Sequence, residues 1–163
     1  MSEVDVLVAY YESPIGSIEI KGSEAGVSAL NFVEIGRAQS RRRRLQPGLL
    51  ADALAQLDEY FRSVRTVFTV KLDLRGTDFQ KKVWARLLRV KFGQTTTYKA
   101  LAEAVGRPAA TRAVGGANHR NPVSIIVPCH RVVGSDGRLT GYGGGLWRKD
   151  WLLRHEGHDR LLV

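Results

Sequence analysis

Apolar and polar positions alternate between residues 4 and 33 in three short runs, VDVLVAYYES, IGSIEIKG and GVSALNFV. The runs are broken at Pro14-Ile15-Gly16 and again from Gly22 to Gly26. Period-two alternation punctuated by turn residues predicts a meander of three strands. The polar segment GRAQSRRRRLQPG, residues 36–48, interrupts the pattern with four consecutive arginines, Arg41 to Arg44. Like charges repel, so a solvated loop is expected there, with a phosphate-binding patch as the alternative. At residue 49 the period changes. In LLADALAQLDEYFRS, residues 49–63, Leu50, Leu54, Leu57 and Phe61 fall on one stripe, the pattern of an amphipathic helix. VFTVKLDL, residues 67–74, alternates again and predicts a strand. Arg75-Gly76 follows, and a domain boundary is expected there, between residues 1–75 and 76–163.

The second half opens on a helix signal. Thr77 with Gln80 three residues later has the form of a capping box. Phe79, Val83 and Leu87, with Trp84 and Leu88, supply an apolar face to about Val90. Thr97 can cap a short helix carrying Tyr98, Leu101, Ala102 and Val105. Gly106 suits the position after that helix, and Pro108 suits the first turn of the next, which spans roughly 109–119. Two short helices around a turn make a helix-turn-helix pattern. The second is built from Ala113, Gly115, Gly116 and Ala117, so its surface is almost bare of side chains. Bare surface permits close approach to another body, either a packed helix or a ligand. Reading base edges in a major groove would need long polar side chains instead.

Composition narrows the function classes. The chain has 163 residues, 44% apolar and 25% charged, enough for one ordinary core or two small lobes. No apolar run approaches the roughly 18 residues of a membrane helix. Acidic residues stand where a signal peptide needs basic ones, so a cytoplasmic location is expected. Cys129 is the sole cysteine, which excludes an intramolecular disulfide framework and a cysteine cluster for zinc. Net charge is +9, unevenly placed: residues 1–80 carry 10 basic and 11 acidic side chains, residues 81–163 carry 15 and 5. A basic half-chain attracts polyanions through counterion release, which makes nucleic acid the expected partner.

SIIVPCHRVVGSDGRLTGYGGG, residues 124–145, holds the chemistry. An apolar run, Ser124 to Val127, reads as a buried strand and leads into Pro128-Cys129-His130-Arg131. Six glycines between 134 and 145 then form a loop able to pass close to a ligand. A lone cysteine is commonly an inert buried residue. This one has an imidazole beside it in sequence, and a neighbouring base can generate the thiolate that reacts.

Ile126-Val127-Pro128-Cys129-His130-Arg131-Val132-Val133 resembles the active-site signature of the O6-alkylguanine-DNA alkyltransferases, the methylated-DNA–protein-cysteine methyltransferases. Arg112-Ala113-Val114-Gly115-Gly116-Ala117, Asn121-Pro122, Gly141-Tyr142, Gly144-Gly145-Leu146, Trp151-Leu152-Leu153 and Glu156-Gly157 follow the order and spacing of that family. The resemblance is close to continuous from Gly76 to Gly157 and weaker before it. It implies an α+β fold: an N-terminal ribonuclease H-like lobe with a small antiparallel sheet, and a mostly helical C-terminal lobe carrying the helix-turn-helix and the thiol.

The resemblance also implies a single-turnover transfer of the alkyl group from O6-alkylguanine in double-stranded DNA to Cys129, with O4-alkylthymine as a second candidate substrate. His130 would be the water-mediated base, oriented by Glu156; Tyr98 would donate to the base, and Asn121 would brace the loop. Arg112 would enter the base stack, with Tyr98, Thr95, Ala113, Gly115 and Ala117 against the DNA. Asn118, Val132, Leu139, Tyr142, Gly143, Gly144 and Lys149 would line the pocket for the flipped base. No cofactor, no metal and no membrane contact are implied. The protein would be a monomer, with cooperative binding on DNA left open. His119, His155 and His158 match no catalytic position of the family, and Trp84 and Trp151 read as core. Competing readings are a non-catalytic lesion sensor, whose relatives usually carry tryptophan in place of the cysteine, a cysteine hydrolase using Cys129 and His130, and a plain helix-turn-helix regulator.

Overall fold

A computed structural model describes residues 6–34 and 48–159. The Arg41 to Arg44 run lies outside the described residues. The chain divides into two compact units, residues 1–75 and 76–163.

In the first unit, strands β1 (Leu7–Ser13), β2 (Gly16–Ser23) and β3 (Gly26–Val33) form an antiparallel sheet in the order β1-β2-β3. Alternation delivers Ile18 and Ile20 of β2 fully inward, and Leu30 of β3 with them. Helix α1 (Leu49–Phe61) buries Leu50, Ala53, Leu57 and Tyr60, a stripe at helical spacing. Tyr11 in β1 donates from its hydroxyl to Asp58 Oδ1 of α1 at 3.2 Å. Partial burial, then the Asp58 charge, push that phenol up to about 12.

The strand expected at residues 67–74 does not form. The segment meets β3 at one parallel bridge, Val27 with Leu72, through bonds from Val27 N to Lys71 O and from Asp73 N to Val27 O, both 2.9 Å. Gly26 permits that approach: its φ is 136°, and a Cβ there would stand 2.8 Å from the Leu72 carbonyl carbon. Alternation in sequence records which side of the segment faces inward, and a ladder needs a partner edge as well.

The second unit begins at α2 (Asp78–Leu87), whose capping box pairs Thr77 with Gln80 as its sequence predicts. Val83, Trp84 and Leu87 are buried, whereas Leu88, just past the helix, is 46% exposed. Helix α3 (Tyr98–Ala104) is capped by Thr97, whose hydroxyl accepts from Ala100 N at 3.0 Å. Gly106, at φ 76°, reverses the chain. Helix α4 (Thr111–His119) starts two residues later than the pattern suggests. Its inward face is Val114, Ala117 and Asn118, three buried residues at i, i+3 and i+4. Trp84 of α2 lies beneath and donates from Nε1 to Ala117 O at 2.8 Å. Strands β4 (Thr96–Thr97) and β5 (Val132–Val133) pair in parallel, a contact that the sequence pattern does not reveal. Helix α5 (Leu146–His155) closes the unit, with Leu152 and Leu153 fully buried.

Candidate active site

Tight turns carry the chain from α4 to the cysteine. Asn121 donates from Nδ2 to Val127 O at 2.7 Å and accepts from Val123 N at 3.0 Å, so one side chain spans the loop. The buried strand expected at Ser124–Val127 is absent. Ile125 takes φ 71°, and Ile126 N bonds back to Ser124 O at 2.8 Å. That is a three-residue turn of the strained hand, costly for a β-branched residue by about 1–3 kcal/mol. Burial of the Ile125 side chain, 1% exposed, holds it there. Pro128 makes the relaxed counterpart, with Cys129 N on Val127 O at 2.8 Å. A 3-10 turn, Cys129–Arg131, follows with all three side chains buried.

The three polar residues at this turn and the end of α5 form one network. His130 is fully buried, with Nε2 at 2.8 Å from Glu156 Oε1. Arg131 donates from Nε to Glu156 Oε2 at 2.8 Å, from Nη2 to Oε1 at 2.9 Å and from Nη1 to Val90 O at 2.6 Å. Burial alone would raise the Glu156 carboxyl. The His130 ring and the Arg131 guanidinium outweigh it and hold the group well below the usual carboxylate range. An anionic Glu156 accepts, so the His130 proton is assigned to Nε2 and the lone pair to Nδ1. That Nδ1 is buried without a partner among the described residues.

Burial pushes His130 below its ordinary 6.5, against a smaller upward pull from Glu156. Burial likewise pushes the Cys129 thiol up; the Asn121 amide and the Lys149 charge draw it back only in part. Thiol and imidazole therefore both rest neutral. Burial disfavours a charged sulfur, and the Lys149 charge offsets that only in part.

A cavity of about 590 Å³ reaches the cysteine turn only through Asn118; Cys129, His130 and Glu156 are not among its lining residues. Tyr98 of α3, with Arg112, Gly115, Asn118 and His119 of α4, makes one wall, and Thr140 marks the other side. The Tyr98 hydroxyl donates to Thr140 O at 3.4 Å and accepts from Thr140 Oγ1 at 3.3 Å. Asn118 donates from Nδ2 to Cys129 O at 3.4 Å.

Several expected site residues lie elsewhere. Lys149 is fully buried, and its Nζ donates to Thr140 O at 2.7 Å and Gly141 O at 3.4 Å. It holds the loop from beneath; burial lowers it to about 8, against an upward pull from Cys129. Val132 is core, paired with Thr96, and Leu139 packs with Val133 and Leu153. Tyr142, Gly143 and Gly144 are outside the cavity wall; burial and then neighbouring Cys129 push the Tyr142 phenol well up. A Cβ at Gly143 would meet nothing within 4 Å. Ala117 does not face outward, because α4 turns it onto Trp84. The exposed small face of α4 is Ala113 and Gly116, beside exposed Arg112, while Thr95 is exposed on the loop before β4. Sequence reasoning gave no role to Arg131 or Thr140 and set His119 aside; the structure puts Arg131 on Glu156 and the other two in the cavity lining. Only the Pro-Cys-His-Arg run hinted at the first. Among the described residues no group of three His, Cys, Asp or Glu side chains could hold a metal ion.

The arrangement defines a class: an α+β protein in which a helix-turn-helix adjoins a buried Cys, with a His–Glu pair behind it. Residues 78–158 match the family described as "6-O-methylguanine DNA methyltransferase, DNA binding domain", and residues 6–74 match its "ribonuclease-like domain". The methylated-DNA–protein-cysteine methyltransferase of Mycobacterium leprae is 48% identical over 151 residues, covering 92% of each chain. The crystal structure of Mycobacterium tuberculosis O6-methylguanine methyltransferase superposes with a TM-score of 0.80 at 43% identity, covering 96% of this chain and 97% of that one. The structure titled Mycobacterium tuberculosis OGT in complex with DNA also gives 0.80, at 46% identity, covering 91% and 92%. The chain belongs to the methylated-DNA–protein-cysteine methyltransferase family.

Proposed function

We propose that this protein repairs DNA by moving the alkyl group of O6-alkylguanine in duplex DNA onto Cys129, once per molecule. What most supports the reading is the lone-pair nitrogen of His130: buried, without a partner among the described residues, on a ring tied to anionic Glu156 beside the only cysteine. The thiol proton passes to Nδ1, through a bridging water. Sγ then bonds to the alkyl carbon as the bond from that carbon to O6 breaks. The restored guanine gains a proton from Tyr98; solvent returns one to the Tyr98 oxygen as His130 releases the one it took, so the proton gained by guanine balances the one lost by the thiol. Asn121 holds the loop that carries Cys129.

The target atom lies inside the base stack, so the nucleotide is flipped out. Arg112 fills the vacated space, and Ala113 and Gly116 let α4 approach the minor groove with little sequence preference. The 15 basic side chains of residues 81–163 supply attraction to phosphate. The thioether is a poor leaving group and the chain has no second thiol, so the protein stops after one event. It acts in the cytoplasm as a monomer, and residues 76–163 form its DNA-binding and alkyl-accepting domain.

Intact-mass measurement after incubation with an O6-methylguanine duplex tests this. One methyl adduct per chain, mapped to Cys129 and missing from Cys129→Ser, is expected. Unmodified protein, or many turnovers per molecule as in a hydrolase, would overturn the reading.

A further inference from the structure

The outer side of α2 carries positive charge that the fold leaves unmatched. Lys81, Lys82 and Arg86 are exposed there, with exposed Arg89 on the turn that continues the helix, its N bonded to Arg86 O at 3.1 Å. They lie opposite the buried side, Val83, Trp84 and Leu87. None of the four side chains has an ion pair or hydrogen bond among the described residues, and Asp78, three and four residues ahead of the lysines, pairs with neither. Other exposed cations are matched: Arg62 with Asp58, Arg75 with Asp73, Arg138 with Asp136 and Arg154 with Asp150. Lys82 and Arg86 stand four residues apart and Arg86 and Arg89 three, spacings at which like charges repel and weaken a helix. An external polyanion relieves that repulsion.

The core sets the direction of this face. Helix α2 packs on α3 and α4, and Trp84 reaches α4 through its bond to Ala117 O. The four cations therefore point away from α4, whose exposed Ala113 and Gly116 are proposed above to meet the lesion-bearing minor groove. A straight duplex seated on α4 does not also lie along the outer side of α2. We propose that this face binds the phosphate backbone of a second segment of double-stranded DNA, so that one molecule holds two stretches of duplex. DNA is the polyanion this unit is built to meet, since residues 78–158 match a DNA-binding domain. The contact is indifferent to sequence, as phosphate contacts are, and it builds on the proposed seating of α4 on the first duplex. A molecule held through α2 can lift α4 from one stretch and try another without leaving the DNA.

Capture of one duplex by another provides the test. A lesion-free duplex too short to wrap around the protein is fixed to beads, the protein is added, and a second, fluorescent duplex of the same length is offered. Wild type should carry the fluorescent duplex onto the beads. Changing Lys81, Lys82, Arg86 and Arg89 together to Gln should cut that capture by about tenfold or more, because the phosphate contacts of one face are lost. The variant should still take one methyl per chain from saturating O6-methylguanine duplex, the sign of an intact fold. Lys81→Gln with Lys82→Gln alone should give an intermediate loss, and carries the comparison should the fourfold change disturb folding. Removing as many charges from the first unit, with Lys21→Gln, Arg62→Gln, Lys71→Gln and Arg75→Gln, should leave capture within about twofold. A wild type that captures nothing, α2 variants that capture as wild type does (as two copies in contact would), or a first-unit variant that loses as much overturns the inference and leaves alkyl transfer standing. Capture that depends on α2 in a protein that takes no methyl overturns the repair function and leaves the second contact standing.

Discussion

His130 Nε2 stands 2.8 Å from Glu156 Oε1, and both side chains are shut away from solvent. The pairing decides which ring nitrogen can accept a proton. It also places an ionised carboxylate where a rising positive charge on the ring would need one. The same carboxylate is gripped by Arg131, so its position does not depend on the state of the histidine.

The rate should follow from this geometry. Burial keeps His130 below 6.5, so the neutral ring survives into mildly acidic solution. Single-turnover methyl transfer should therefore keep its rate as pH falls through 6.5, with the acid limb below that value. Glu156→Gln removes the largest group drawing the ring upward and should slow transfer by about 10²-fold. A wild-type acid limb at or above 6.5 would contradict this account.

Acid stability should depend on the same carboxylate. The folded Glu156 carboxyl lies below its ordinary 4.5, so its contribution is complete above 4.5 and is lost as pH falls below it. The curve of urea midpoint against pH should flatten below 4.5 in Glu156→Gln. Arg131→Gln strands the buried anion and should cost about 3–5 kcal/mol near neutral pH. A midpoint shift under a quarter of that would mean the guanidinium is dispensable.

Lys149 ties loop geometry to thiol chemistry. Its charge draws the Cys129 thiol down, and its Nζ holds two loop carbonyls. Lys149→Met should move the pH profile of Cys129 alkylation by iodoacetamide upward. It should also lower the melting temperature, since the carbonyls lose their donor. An unchanged alkylation profile would place the Lys149 charge out of reach of the sulfur.

Arg112 is exposed at the start of α4 and borders the cavity. Replacing it with Ala should slow reaction with a duplex lesion by at least about tenfold, and should barely change reaction with free O6-benzylguanine, since only the duplex requires flipping. Equal losses on both substrates, read by intact mass over time, would remove Arg112 from the flipping step.

How far the chain could be read without coordinates varied with the range of the interaction involved. The meander, α1, the Thr77 capping box and the Thr97 cap follow from periodicity and neighbours within four residues. The Cys129 segment declared itself through a local run of residue types. Long-range matters did not. Residues 67–74 alternate like a strand yet find a partner edge only at Val27, and Thr96 meets Val132 across more than thirty residues. Ser124 to Val127 look like a buried strand because burial and strand share an apolar signature, whereas Asn121 bends them into turns.

Within the site, the chain by itself singled out the cysteine, the imidazole beside it, the arginine of α4 and the basic charge of the second half as candidates, all carried by residue type and short spacing. Tertiary structure alone decided that Ala117 turns inward, that Lys149 supports the loop from below, that Arg131 shares Glu156, and that the sulfur rests protonated. Those outcomes depend on which atoms become neighbours after packing and on how much water packing removes, and a linear order of side chains specifies neither.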